Sequence, residues 1–272
     1  MAALFYRGNF MSEEQSKLVA LSAALVPSVL LLAIEYLIGQ LTAQQAILPY
    51  FAFALLFGQL LCLIVFVKGQ ICPGQRSRLI RANSALALYW IVWLAFALLQ
   101  QSTSLIAYAV CGLCACYAVF TQPKDAQAGR GFLLMAAAVC GLGMLGYLSV
   151  FLSAANADFL RFNPFAQLVV GVFIANIALV VARNRVQGFI ALLPLLAIAL
   201  LAINAFAVLV WLFCHAELNE LQTLAMAIYF VVHVLMAGCL LWAGLKNHKL
   251  SYNGLLILFF MAASLPLWSA FI

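Results

Sequence analysis

Apolar runs about as long as a bilayer is thick recur from one end of this chain to the other, and they restrict its fold more than any motif does. A helix needs roughly 20 apolar residues to cross about 30 Å of hydrocarbon. Cutting the sequence at its polar punctuation gives nine such runs, at 18–40, 47–67, 82–99, 104–121, 131–154, 165–182, 189–213, 222–245 and 252–271. The runs lack the alternation that a barrel strand requires, so helices are expected. Of 272 residues, 68% are hydrophobic and 7% charged, more apolar surface than a water-soluble domain of this length can hide. The expected fold class is all-α, a polytopic membrane bundle of about nine transmembrane helices. Residues 1–17 form a short cytoplasmic tail, and 18–272 form a single membrane domain.

The charges orient that bundle. A net charge of +6 raises the question of nucleic acid, but the placement of the charges argues against it. With the N-terminus in the cytoplasm, Arg7, Lys17, Lys68, Arg76, Arg78, Arg81, Lys124, Arg130, Arg183, Arg185, Lys246 and Lys249 all fall inside. Arg161, near Asp158, falls outside. This is the positive-inside asymmetry of a multi-pass protein in a bacterial inner membrane, with the C-terminus periplasmic. It also supports the weak break "LLQQSTSLIAY" between the third and fourth runs, since eight spans would scramble the later loops. The expected surroundings are lipid, with no nucleic acid. The first run reads as a retained signal anchor, because "LIGQLTAQQA" lacks a clean small-x-small ending. Met1 and Met11 are both candidate starts.

Seven of the eight cysteines, Cys62, Cys111, Cys114, Cys116, Cys140, Cys214 and Cys239, lie within or at the ends of apolar runs and read as small hydrophobes. "CGLCAC" at 111–116 has no basic or histidine partner to stabilise thiolates in lipid, so neither a metal site nor a disulfide framework is expected.

Ionisable groups at membrane depth are costly and are functional candidates by default. Glu35 lies near the outer end of the first span, where a carboxylate can reach headgroup water, and His233 lies near the middle of the eighth. The other histidines, His215 and His248, fall at the outer and inner edges, so no two are level for bis-histidine haem, and a haem-free chain is expected. Three readings of the polar residues stay open. For His233, a hydrogen bond to a neighbouring helix competes with direct chemistry. Pro27, Pro194 and Pro266, with Gln167, Asn176 and Asn204, suit either a transport path or ordinary cross-helix bonding. A quinone slot needs only an apolar gap and a few hydrogen-bonding groups, and His233, Gln100, Gln101, Tyr89 and Glu35 are suitable types.

From residue 47 onward, "LLFGQLL", "VKGQICPGQRSRLI", "FNPFAQL", "ALLPLLAIALLAINAFAVL" and "LWAGLK" follow one another in a pattern that resembles the membrane-anchor subunit of anaerobic dimethyl sulfoxide reductases. The resemblance implies an eight-helix anchor over 47–271 behind an extra first helix at 18–40. It further implies a haem-free, non-catalytic subunit with no covalently bound cofactor, which oxidises menaquinol and passes electrons to an iron–sulfur subunit beside a molybdopterin catalytic subunit. Gln100, Gln101, Glu35 and His233 are the candidate quinol-binding residues. This sequence departs from the family where the site matters. Gln100 stands in place of a family histidine, no acidic residue opens the fourth span, and "LPLWSAF" lacks the Glu-Arg pair of the final helix. The rival classes are a small-solute transporter and a non-catalytic membrane sensor or assembly protein.

Overall fold

The computed structural model describes residues 17–42, 48–68, 72–121, 129–153, 159–183, 187–215, 218–246 and 250–271. Among them the elements are α1 (Lys17–Thr42), α2 (Ala52–Lys68), α3 (Pro73–Ala85), α4 (Ala87–Leu99), α5 (Thr103–Phe120) and α6 (Gly129–Ser153). There follow α7 (Pro164–Val181), α8 (Gln187–His215), α9 (Glu220–Leu245), α10 (Tyr252–Ala263) and α11 (Leu265–Ser269). Eight helical stretches in the described residues are long and apolar enough to cross a membrane, counting α3 with α4 and α10 with α11 as single stretches. The short apolar α2 is a further helix of 17 residues. The fold is therefore an all-helical, polytopic membrane bundle. The tail before Lys17, with Arg7 and the two candidate starts, lies outside the described residues, as do Lys124, Asp158, Arg185, Glu217, His248 and Lys249.

The helix that sequence patterning misplaced most is α3. Residues 68–81 read as a basic loop, yet Pro73–Ala85 is helical. Pro73 sits at the start, where its fixed φ suits a first turn. Gln75 Oε1 accepts from the backbone N–H of Cys72 at 3.3 Å. From the other side, Gln75 Nε2 donates to Arg183 O (2.9 Å) and Arg78 Nε to Ala182 O (3.1 Å), satisfying carbonyls at the end of α7. Arginines at 76, 78 and 81 interrupt the hydropathy signal, but Leu79, Ala82 and Asn83 still bury one face. A single turn at Leu86 separates α3 from α4.

The weak punctuation "LLQQSTS" is a genuine helix stop. Gln101 takes a left-handed backbone (φ 54°), its N–H donates to Leu98 O, and Ser102 N–H donates to Ala97 O. This pair of bonds is the Schellman arrangement that ends a helix, here without the usual glycine. The exposed Gln101 thus has a backbone role that its residue type did not suggest.

At the centre of the bundle, α7 is buried all round, with 83% of its apolar window covered by other helices. A helix that is apolar on every side belongs in an interior. Its closest neighbour is α2, and the two backbones meet at Gly58 and Gly171. A Cβ added to Gly171 would lie 2.7 Å from the backbone oxygen of Ala54, and one on Gly58 would lie 3.0 Å from Gly171 O. Such small-residue crossings let membrane helices gain contact where hydrophobicity gives no drive to associate. The peripheral α6 and α8 have only 28% of their windows covered, and their exposed Leu134, Leu142, Leu195 and Phe206 suit a lipid-facing surface.

Candidate functional site

Three groups of buried polar side chains form a belt across the bundle. The first is built on Glu35. Instead of reaching headgroup water, its side chain is 7% exposed. Oε1 accepts from Tyr89 Oη at 2.6 Å and from the backbone N–H of Phe51 at 3.0 Å, while Oε2 accepts from the indole N–H of Trp93. Tyr89 and Trp93 stand at positions i and i+4 of α4, which puts both donors on the face toward α1. Phe51 N lies at the entry to α2, where helix N–H groups have no partner within the helix. The carboxylate thus joins α1, α2 and α4, and no cationic side chain is among these partners. In its ionised form the carboxyl makes charge-assisted bonds with all three donors, the stronger kind.

The second group continues from the first turn of α2. The backbone N–H of Ala54 donates to Gln167 Oε1 (3.3 Å), and Gln167 Nε2 bonds both Tyr147 Oη and Phe162 O. Phe162 and Asn163 then lead to the third group. Asn163 caps α7 by accepting from Phe165 N–H (2.9 Å), and its Nδ2 donates to Asn204 Oδ1 at 2.7 Å. Asn204 Nδ2 reaches Tyr229 Oη (2.9 Å) and His233 Nε2 (2.7 Å). On the far side of the ring, His233 Nδ1 lies 2.9 Å from Tyr229 O.

These contacts settle the state of His233. A carbonyl only accepts, so Nδ1 carries the proton. Asn163 donates to Asn204 Oδ1, so the Asn204 amide presents N–H to His233, and Nε2 accepts. His233 is therefore a neutral, fully bonded imidazole tying α9 to α8. We expect His233→Gln to retain most of the fold's stability, since its amide oxygen can accept from Asn204. His233→Leu should cost about 1 kcal/mol, the scale of interhelical hydrogen bonds in membranes. Denaturant titration in mixed micelles checks this, and equal losses for both variants would refute the assignment.

Of the candidate residues, the structure brings Glu35 together with Tyr89, and it places His233 in a separate group with Asn204. Gln100 and Gln101 close α4 and share no hydrogen bond with either group. Trp93, Tyr147 and Asn163 were not singled out in the sequence. The i, i+4 spacing of Tyr89 and Trp93 was the available signal, hidden inside a run of aromatic and aliphatic residues. One cysteine also departs from expectation. Cys116 accepts from Gln59 Nε2 at 2.9 Å, so it is a polar partner as well as a small hydrophobe. Among the described residues, no group of three His, Cys, Asp or Glu side chains is placed to hold a metal ion. His248 and the side chain of His215 lie outside the described residues, so the relative depths of the three histidines are known from the sequence alone.

Comparison with known proteins corrects the anchor resemblance. The family model that matches is described as an integral membrane domain and takes in residues 14–271, so it includes the first helix that the anchor pattern left over. A protein of Haemophilus influenzae, described as uncharacterized, is 43% identical over 266 residues, covering 96% of this chain and 100% of that protein. No solved structure matches. The dimethyl sulfoxide reductase anchor family is thus replaced by a family of integral membrane domains. Menaquinol as substrate, and the iron–sulfur and molybdopterin subunits as partners, rested on the anchor resemblance and draw no support from the family that matches.

Proposed function

Because the chain belongs to a family of integral membrane domains, we propose that its chemistry lies within the bilayer, as a proton-coupled transporter of a small solute in the bacterial cytoplasmic membrane. The observation that carries this reading is the carboxyl of Glu35, buried among Tyr89, Trp93 and the Phe51 N–H without a cationic partner. An intramembrane acid of this kind marks proton relays in pumps and transporters.

The cage responds to a proton. An ionised carboxylate accepts all three bonds, whereas a protonated one must donate from one oxygen. Tyr89 can turn its hydroxyl to accept, but the Trp93 indole N–H and the Phe51 amide N–H cannot. A proton on Oε2 sets donor against the Trp93 N–H, whereas one on Oε1 turns to Tyr89 and leaves the Phe51 N–H a neutral hydroxyl oxygen, a weaker acceptor than a carboxylate. Protonation therefore weakens the hold of α1 on α4 or on the entry to α2, and α2 carries the change to Gln167 and the rest of the belt. A charge change is in this way converted into a change of helix packing, which is what coupling requires.

The test uses membrane vesicles containing the protein under an imposed pH gradient, with a panel of labelled amino acids, sugars and nucleobases. One class should accumulate in wild-type vesicles and lose that accumulation when an uncoupler is added. Glu35→Gln should reduce it to the level of empty vesicles, with Glu35→Asp retaining part. Equal gradient-driven uptake by wild type and Glu35→Gln overturns the reading, as does the absence of such uptake in the wild type.

The same proposal includes the orientation, with nine spans, the N-terminus cytoplasmic and the C-terminus periplasmic. It is supported by the basic residues of α3 and by Arg130, Arg183 and Lys246 at helix ends that chain alternation puts on one side. Reporter fusions after Arg76, Ala126, Asn184 and His248 should read cytoplasmic, and those after Ala43, Asp158, Leu218 and Ile272 periplasmic. A periplasmic signal at Ala126 with a cytoplasmic one at Asp158 would invert the arrangement.

A further inference from the structure

At the basic end of the bundle, the start of α1, the middle of α3 and the end of α7 enclose an open cleft lined by Ala20, Leu21, Arg78, Arg81, Ala82 and Val181. The cleft is open and not an enclosed cavity, so it suits a headgroup phosphate at the bilayer surface better than a drug-sized ligand that must be largely buried. Arg78 and Arg81 stand three residues apart on α3 and so share one helix face. The bond from Arg78 Nε to Ala182 O, at 3.1 Å, fixes the first guanidinium over the end of α7. Among the described residues, the acidic side chains are Glu35 and Glu220. Glu35 is taken up by Tyr89 and Trp93, and Glu220 opens α9, which chain alternation places at the opposite end of the bundle. Two guanidiniums thus line one cleft with no described carboxylate facing them.

We propose that this cleft binds the phosphate of an anionic phospholipid, with Arg78 and Arg81 as its donors. A planar guanidinium matches phosphate oxygens with paired N–H bonds, and basic pockets between membrane helices are suited to anionic headgroups. A phospholipid fits better than a free anion because the rest of the lining is apolar. Leu21, 40% exposed, begins an outward-facing series on α1 that continues through Val29 and Tyr36, offering a surface for acyl chains.

The experiment is native mass spectrometry and thermal unfolding of the full chain in detergent, with phosphatidylglycerol, phosphatidylethanolamine or inorganic phosphate added. Wild type should retain phosphatidylglycerol and gain thermal stability from it, and should do neither with phosphatidylethanolamine. Arg81→Gln should weaken phosphatidylglycerol binding about tenfold, as expected for losing a charge-assisted pair, and Arg81→Lys should recover part. Arg81 is chosen because Arg78 also holds the end of α7, so its loss could disturb the fold. Three results would each overturn the proposal. They are equal phosphatidylglycerol binding by wild type and Arg81→Gln, equal stabilisation by inorganic phosphate, and binding that appears only in a Glu13→Gln/Glu14→Gln variant. The last would assign the cleft to the chain's own N-terminal carboxylates.

Discussion

Glu35→Leu should be among the most damaging single substitutions in this protein. It removes the acceptor for three buried donors, the Tyr89 hydroxyl, the Trp93 indole N–H and the Phe51 amide N–H. A buried donor left without a partner costs about 1–3 kcal/mol, so with three of them a loss of at least about 3 kcal/mol is expected. Glu35→Gln keeps a carbonyl oxygen for Tyr89 and Phe51, and should lose only about a third of that. Removing the stranded side-chain donors as well gives an internal control. Glu35→Leu with Tyr89→Phe and Trp93→Phe should be more stable than Glu35→Leu alone, because an apolar cluster without unpaired groups replaces a half-satisfied one. Unfolding in mixed micelles measures all three. Glu35→Leu as stable as wild type would mean that the cage contributes nothing to the fold.

The second large effect is expected at the crossing of α2 and α7. Gly171→Val places atoms where Ala54 O already lies, 2.7 Å from the new Cβ, and the Phe57 ring lies at 2.9 Å. The ring can turn aside, but the carbonyl belongs to the α2 backbone and cannot yield without moving that helix. Overpacking of this kind costs about 1–3 kcal/mol, and the upper end applies where the obstacle is main chain. Because Phe51 N at the entry to α2 and Ala54 N in its first turn belong to the polar belt, displacing that helix should also reduce the uptake proposed above to depend on Glu35. Gly141→Val on α6, where nothing lies within 4 Å of the added Cβ, is the matched control and should fold as wild type does. Equal stability of the two variants would remove the close crossing from the account of what holds the bundle together.

These two sites show where sequence reasoning reached its limit. Glu35 was visible as a rare acid in an apolar run, but its distance from water was not. That distance depends on α2 and α4 closing over α1, and nothing local in α1 specifies it. His233 stood out for the same reason, and its bond to Asn204 became visible only when α8 brought that amide to Nε2. The glycines at 58 and 171 are two small residues among many in the sequence. They acquire meaning only from a backbone on the opposite helix.

What the sequence determined by itself was the bilayer as solvent and the order of the helical stretches, because hydropathy over a span is a sum of local contributions and needs no knowledge of neighbours. It also carried the breaks between them, including the faint one at "LLQQSTS", since helix stops are local in physical origin. The helical character of Pro73–Ala85 escaped it. That segment pairs three arginines with a buried face, and its Gln75 and Arg78 side chains donate to carbonyls more than a hundred residues away, at Arg183 and Ala182. Only the tertiary structure decided which polar side chains meet. In a membrane the apolar surfaces of helices are interchangeable, so pairing is set by close backbone approach and by specific hydrogen bonds, and both join residues that are far apart in the chain.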